Sequence, residues 1–91
     1  MVHNRLVPVV VDVDPVTLNV RADQVEAAVG PKTRAIVMAH TLGNPFNITA
    51  VRTVCQRHNL WLVEDNCDAL GSSYGAARTG TFGDLATLSF Y

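Results

Sequence analysis

The 91-residue sequence has few charged residues and no cluster of basic ones. Seven Lys and Arg residues against eight Asp and Glu residues give a formal charge of −1 at pH 7, so the electrostatic signature of a nucleic-acid-binding surface is missing. The longest apolar runs are too short to cross a bilayer, and the first residues lack the hydrophobic core of a signal peptide. We therefore expect no nucleic-acid partner, no membrane partner and a cytoplasmic location.

Metal-ligand motifs are also missing, since two cysteines and three histidines are scattered without a CxxC pair. Cys55 falls on the apolar stripe of a predicted helix, where a free cysteine behaves as a small buried hydrophobe. Cys67 lies between Asp65 and Asp68, whose negative charge raises the pKa of a thiol and disfavours the reactive thiolate. The sequence predicts no metal site and two unreactive thiols.

The phosphate-binding and nucleophile motifs of common α/β enzymes do not occur. No Gly-x-Gly-x-x-Gly and no Gly-x-x-x-x-Gly-Lys-Ser/Thr sequence follows a predicted strand, which removes the usual signals for dinucleotides and nucleoside triphosphates. No Gly-x-Ser-x-Gly elbow is present, so a hydrolase triad has no support. A ligand site must be sought in other residues.

What the chain does contain is a high hydrophobic content of 48%, which is typical of a buried chain and not of a disordered one. Apolar runs and helical spacing predict a regular alternation of elements: strands at 6–14, 35–39, 60–65 and 85–90, with helices at about 21–29 and 48–58. This alternation predicts an α/β fold, part of a three-layer αβα arrangement with a doubly wound, mainly parallel sheet.

The apolar run at 60–63 ends in several polar side chains. A run without polar alternation suits a strand covered on both faces, and ligands of open α/β sheets bind beyond the carboxyl ends of such strands. Asp65 and Asp68 therefore lie where chemistry is expected, although Asp caps helical turns equally often. With the hydroxyl of Ser89 near the end of the next strand, Asp65 could hold a ligand that has a cationic ring nitrogen and an anionic group.

Other polar residues beside strands have ordinary explanations. His40 follows the strand at 35–39 and could be an acid, a base or a ligand, but a hydrogen-bonding residue beneath the site is the preferred interpretation. Asp12 and Asp14 face the same side of an extended chain, as a metal-binding or phosphoacceptor pair would. Turn formation before Pro15 explains them better.

Several segments together resemble the DegT/DnrJ/EryC1/StrS sugar aminotransferase family, whose members are fold type I enzymes that use pyridoxal phosphate. The segments are 31–36 (PKTRAI), 63–71 (VEDNCDALG), 79–87 (TGTFGDLAT) and 89–91 (SFY). The resemblance runs through essentially the whole chain. It implies that residues 1–91 are part of the large, cofactor-binding domain, with no internal boundary.

The resemblance also implies roles for single residues. The aspartate that matches Asp65 pairs with the pyridinium nitrogen and keeps the ring protonated as an electron sink. Asp68 matches a position near the ring 3-hydroxyl, and Ser89 matches a ligand of the cofactor phosphate. Tyr91 is implied to be a neighbour of the substrate.

Two departures from the aminotransferases resemble the CDP-4-keto-6-deoxyglucose-3-dehydrase branch: Asp68 where Gln is usual, and Tyr91 where His is common. That branch uses pyridoxamine phosphate and an iron–sulfur cluster, whose ligands are not in this chain. The implied function is C-3 dehydration of a CDP-4-keto-6-deoxyhexose in lipopolysaccharide O-antigen sugar synthesis, by a homodimer with a reductase partner. A sugar-nucleotide aminotransferase is the alternative, and both take a nucleotide-sugar substrate.

The residue that separates these alternatives lies just after Tyr91 in the family, as Lys in aminotransferases and His in the dehydrase. Lys32, the single lysine here, precedes the strand at 35–39 and so lies at the wrong edge of the sheet to link to the cofactor. We expect residues 1–91 alone to be inactive and to fold poorly, with unpaired strand edges.

A hypothesis of a different class is a flavodoxin-like metal or phosphate-binding module. In it, Asp12, Asp14 and Asp65 would hold a divalent ion near a phosphoacceptor. It predicts a stable monomer that binds magnesium. It is the weaker hypothesis, because such a site would also need a lysine beyond a late strand, and Lys32 is not there.

Overall fold

Three parallel strands form the main sheet of the computed structural model, which describes residues 1–90. In chain order the strands are β1 Ala35–Ala39, β2 Trp61–Asp65, β3 Ser73–Tyr74, β4 Ala77–Arg78 and β5 Leu85–Thr87. Strand β2 lies in the middle of the main sheet, between β1 and β5. The register places Ala39 beside Asp65 and Asp65 beside Thr87, so the carboxyl ends of the three strands meet at one edge. The predicted α/β class with a parallel sheet is confirmed.

The chain contains two α-helices among the described residues: α1 Ala22–Ala27 precedes β1, and α2 Ile48–His58 connects β1 to β2. The Asn47 side chain accepts the N–H of Ala50 at 3.1 Å, and Asn59 ends α2 in the left-handed conformation with φ of 53°. The predicted limits of this helix are confirmed. Helix α1 is shorter than the predicted range of about 21–29, and Ala28 follows it in the right-handed conformation.

The hydrophobic core lies between the helices and one face of the sheet. Ile36 and Leu62 point from neighbouring strands into this core, where Val51 of α2 and Phe46 are fully buried. Alternate residues of a strand face opposite sides, so Val37, Trp61 and Leu85 lie on the other face; they are 47%, 59% and 60% exposed.

Strand β2 is therefore not covered on both faces by the described residues. Both helices lie on one side and pack against each other. The opposite side of the predicted three-layer fold would need a further helical layer, which residues 1–90 do not supply.

The predicted strand at 6–14 is wrong. A three-residue 3₁₀ turn, Val2–Asn4, precedes an irregular segment in which Val7 is 87% and Val10 is 90% exposed. Strand geometry needs a neighbouring strand to accept its hydrogen bonds, and the described residues offer none to this segment. Asp14 forms a turn, as predicted: its Oδ1 accepts the N–H groups of Val16 and Thr17, both at 2.9 Å.

The region after β2 contains two short strands that were not predicted, and its last predicted strand is shorter than expected. The segment 69–84, for which no strand or helix was predicted, contains the antiparallel pair β3 and β4 around the turn at Gly75. The expected strand at 85–90 is three residues long, Leu85–Thr87. Within residues 1–90, no helix has the length and apolarity needed to cross a bilayer.

Candidate cofactor-binding site

Asp65 is the last residue of β2 and lies at the edge where the carboxyl ends of the strands meet. Its Oδ1 accepts the backbone N–H of Cys67 and the hydroxyl of Thr87, each at 3.1 Å. The aspartate therefore caps the turn that follows β2 while its side chain lies at the expected ligand edge. The two interpretations of Asp65 are compatible.

The surroundings of Asp65 favour its ionised form. Hydrogen bonds from the thiol and the backbone N–H of Cys67, with a further one from Thr87, hold the pKa of Asp65 below its usual value against the opposing effect of burial. The same contact with Asp65 raises the pKa of the Cys67 thiol, in the predicted direction. This edge of the sheet thus carries a fixed negative charge beside a neutral thiol.

Glu64, one residue earlier, was not singled out by the sequence analysis, yet it is the most heavily hydrogen-bonded side chain at this edge. Its side chain is fully buried on the helix-covered face. Oε2 accepts Gly80 N–H at 2.8 Å, and Oε1 accepts the N–H groups of Phe82 at 2.7 Å and Gly83 at 2.5 Å. The carboxylate organises the turn that leads into β5.

Glu64 also remains ionised in spite of its burial. Burial alone would raise its pKa, but hydrogen bonds from Gly83, His40, Gly80 and Phe82 together hold the pKa of Glu64 below its usual value. Because an ionised carboxylate only accepts hydrogen bonds, the proton between Glu64 and His40 belongs to His40 Nε2.

His40 connects Glu64 to the first residue beyond β1. Its Nε2 donates to Glu64 Oε2 at 2.9 Å, and its backbone N–H donates to the Asp65 carbonyl at 3.1 Å. The ring stacks on Phe46 with centroids 4.6 Å apart and is fully buried. The prediction of a hydrogen-bonding residue beneath the site is confirmed for Nε2, while Nδ1 has no hydrogen-bond partner among the described residues.

The turn at 80–83 can approach β2 closely because it contains glycine. A Cβ on Gly83 would lie 2.7 Å from the carbonyl oxygen of Leu62, which real side chains do not tolerate. Asp84, which directly precedes β5, is bonded to Leu62 of β2 in both directions. Its N–H donates to Leu62 O and its Oδ2 accepts Leu62 N–H, both at 2.8 Å. The start of β5 is therefore fixed against β2.

The roles of the remaining predicted site residues stay predictions. Asp68 is exposed in the turn after β2, and Ser89 is half-buried two residues beyond the end of β5. Tyr91 lies outside the described residues. Lys32 is exposed and precedes β1, at the opposite edge from Asp65, as predicted.

A metal site of the flavodoxin-like kind has no support from this geometry. Within residues 1–90, no three His, Cys, Asp or Glu side chains are grouped to hold a metal ion. Asp12 and Asp14 instead use their carboxylates on the backbone N–H groups that follow them. Because Asp65 is not grouped with two further ligands among the described residues, it suits a ligand with a cationic nitrogen better than a divalent ion.

Comparison with known proteins identifies the relatives of this chain. A sequence profile described as the DegT/DnrJ/EryC1/StrS aminotransferase family matches residues 1–91. The lipopolysaccharide biosynthesis protein RfbH of Salmonella typhimurium is 54% identical over 90 residues, covering 99% of this chain and 21% of RfbH. The dTDP-4-dehydro-2,6-dideoxy-D-glucose 3-dehydratase of Saccharopolyspora spinosa is 57% identical, covering 99% of this chain and 20% of the dehydratase.

A solved structure extends the similarity to the fold. GDP-4-keto-6-deoxy-D-mannose-3-dehydratase of E. coli, with bound hydrated PLP, matches with a TM-score of 0.74 and 36% identity. The match covers 80% of this chain and 19% of that protein, and the chain spans about a fifth of the length of its curated relatives. Because the profile matches from the first residue to the last, the chain belongs to the DegT/DnrJ/EryC1/StrS aminotransferase family.

Proposed function

We propose that the protein is a pyridoxal or pyridoxamine phosphate-dependent enzyme that dehydrates a nucleotide-linked 4-keto-6-deoxyhexose at C-3. The observation that carries this proposal is the ionised Asp65, held at the carboxyl edge of the sheet by Cys67 and Thr87. Relatives named as a 3-dehydratase and as a lipopolysaccharide biosynthesis protein support it. We infer a CDP-sugar substrate and a role in O-antigen sugar synthesis.

The residues of the edge fit such a cofactor. A carboxylate that stays ionised on the uncovered face of the sheet would hold a proton on the ring nitrogen, and the bound cofactor would then supply an electron sink. Ser89 would contact the phosphate, and Asp68 would lie near the ring 3-hydroxyl. Tyr91 would neighbour the substrate.

Aminotransfer to a nucleotide sugar is the second candidate, since the family takes its name from that activity. Asp68 in place of Gln and Tyr91 in place of His favour the dehydratase. The residue at the Schiff-base position, within the few residues that follow Tyr91 in the intact protein, decides: His supports dehydration, and Lys supports aminotransfer.

The partners and the location follow from the same proposal. We infer a homodimer in the cytoplasm and, for the dehydratase, a reductase that supplies electrons through an iron–sulfur cluster. The described residues hold no grouped metal ligands, so the cluster would be bound by residues outside this range.

Replacing Asp65 tests the proposal in the intact protein. Asp65→Asn keeps the size of the side chain but removes its charge, so we expect turnover of a CDP-4-keto-6-deoxyhexose to fall at least about 100-fold, with weaker binding of pyridoxal phosphate. Turnover and product identity are followed by chromatography, which separates 3-deoxy sugars from amino sugars. Lys32→Met is the control and should leave both quantities unchanged. Full turnover and binding in Asp65→Asn would contradict the assignment.

A further inference from the structure

Thr87, which no sequence motif singles out, contacts the candidate site. It is the last residue of β5 and pairs with Asp65 in the parallel register, so the two side chains lie on the same, uncovered face of the sheet. The Thr87 hydroxyl donates to Asp65 Oδ1 at 3.1 Å. This contact joins the ends of two neighbouring strands.

The second donor to Asp65 approaches the same oxygen. The backbone N–H of Cys67 also ends on Oδ1, at 3.1 Å. Two donors from separate segments fix the direction of the carboxylate, because rotation about the side chain would break both hydrogen bonds. Oδ2 takes part in neither of these two bonds, and we assign it to the ligand.

The position of Thr87 is itself well fixed. Its carbonyl accepts the backbone N–H of Asn66 at 3.0 Å. At the start of β5, the paired hydrogen bonds between Asp84 and Leu62 hold the strand against β2. The hydroxyl therefore reaches Asp65 from a rigid strand and not from a loop.

We propose that Thr87 is a positioning residue, whose hydroxyl holds Asp65 Oδ1 so that Oδ2 faces the ring nitrogen of the cofactor. This inference rests on the proposed function, because it assumes that the ligand at Asp65 carries a cationic ring nitrogen. Thr87 acts through Asp65 and does not itself touch the ring. Its removal should therefore matter only while Asp65 carries its charge.

A double-mutant cycle in the intact protein tests this dependence, with pyridoxal 5′-phosphate as the probe and the dissociation constant as the readout. Thr87→Val keeps the shape of the side chain and removes the hydroxyl, so we expect the dissociation constant to rise about tenfold. In the Asp65→Asn background the same substitution should change it by less than about twofold. Thr87→Ser, which retains a hydroxyl, should stay near the wild-type value.

A matched control separates positioning from a general loss of stability. Thr53 is an exposed residue of α2 whose hydroxyl donates to the Thr49 carbonyl at 2.9 Å. Thr53→Val removes a threonine hydroxyl from a helix that covers the face of the sheet opposite to Asp65, and it should leave cofactor affinity unchanged. Far-ultraviolet circular dichroism verifies that each variant is folded.

Each outcome decides the inference. If Thr87→Val lowers cofactor affinity by the same factor in the wild-type and Asp65→Asn backgrounds, Thr87 does not act through Asp65. If Thr87→Val leaves the affinity of the wild-type background unchanged, Thr87 has no role in cofactor binding. If Asp65→Asn binds the probe too weakly to titrate, the single variants decide. Weaker binding in Thr87→Val with wild-type binding in Thr87→Ser supports the inference, and equal affinity of Thr87→Val and the wild type overturns it. Failure of the wild-type protein to bind the probe would instead overturn the proposed function, and the inference with it.

Discussion

The two faces of β2 carry neighbouring carboxylates in opposite situations. Glu64 points to the helix-covered face, is fully buried and takes hydrogen bonds on both oxygens from His40 and the turn at 80–83. Asp65 points to the uncovered face, is partly exposed, and accepts the Cys67 N–H and the Thr87 hydroxyl on the same oxygen, Oδ1. Glu64, whose two oxygens both accept hydrogen bonds from the protein, serves the fold. Asp65, whose Oδ2 takes part in neither of these two bonds, is suited to a ligand.

The comparison also explains why the two residues cannot exchange roles. Both have a pKa below the usual value, so ionisation alone does not distinguish a binding residue from a structural one. The difference lies in what the remaining lone pairs can reach. Substitutions at Glu64 should therefore change stability first, and substitutions at Asp65 should change function first.

The largest expected effect on stability comes from Glu64→Gln. The amide keeps the size of the side chain but brings an NH₂ group against backbone N–H donors, which leaves buried donors without an acceptor. We expect the free energy of unfolding of the intact protein to fall by about 3–5 kcal/mol, as measured by urea denaturation. Glu26→Gln is the control, because Glu26 forms only surface contacts with Arg57 and His58 and its loss should have little effect.

An unchanged denaturation midpoint in Glu64→Gln would contradict the structural role of Glu64. It would mean that the buried cluster of Glu64, His40 and the turn at 80–83 tolerates a neutral side chain. The distinction between a structural and a ligand-binding carboxylate would then have no basis in stability.

A smaller effect is expected in the pH dependence of stability. Because the pKa of Glu64 is lower in the folded chain than its usual value of 4.5, the unfolded state binds more protons in the acid range. The contribution of Glu64 to the free energy of unfolding is fully present above about pH 4.5 and is lost as the pH falls through the pKa of Glu64 in the folded chain. The slope is at most about 1.4 kcal/mol per pH unit for one carboxyl.

Urea denaturation at pH values from 7 down to 3.5 measures this slope. Glu64→Gln should flatten it, and the remaining slope should come from other carboxylates with lowered pKa, among them Asp14 and Asp65. Identical slopes in the wild type and in Glu64→Gln would show that folding does not lower the pKa of Glu64.

How much of this could be predicted from the sequence depends on the range of the interactions. Helix α2 was predicted with its limits because Asn47, Asn59 and the apolar spacing between them are local signals. Asp65 was found because an apolar run followed by carboxylates is also local. The segment at 6–14 was predicted wrongly, since β-branched residues form a strand only where another strand accepts their hydrogen bonds.

Glu64 and Thr87 were missed for a related reason. Three of the four donors to Glu64 are backbone N–H groups 16 to 19 residues later in the chain, which no side-chain pattern reveals. The contact of Thr87 with Asp65 depends on the register between β2 and β5, and a shift by one residue would turn Thr87 to the other face. The glycines of the turn at 80–83 were the available signal, because they allow backbone N–H groups to approach a buried acceptor.

The smallest effect on stability is expected at Asp65. Asp65→Asn retains an oxygen that can accept from the Cys67 N–H and the Thr87 hydroxyl, and its surroundings are partly open to solvent. The free energy of unfolding of the cofactor-free intact protein should therefore change by less than about 1 kcal/mol, although turnover falls by orders of magnitude. Urea denaturation of the cofactor-free wild-type and Asp65→Asn proteins measures this change. A loss as large as that of Glu64→Gln would make Asp65 a structural residue and remove the reason for placing the ring nitrogen beside it.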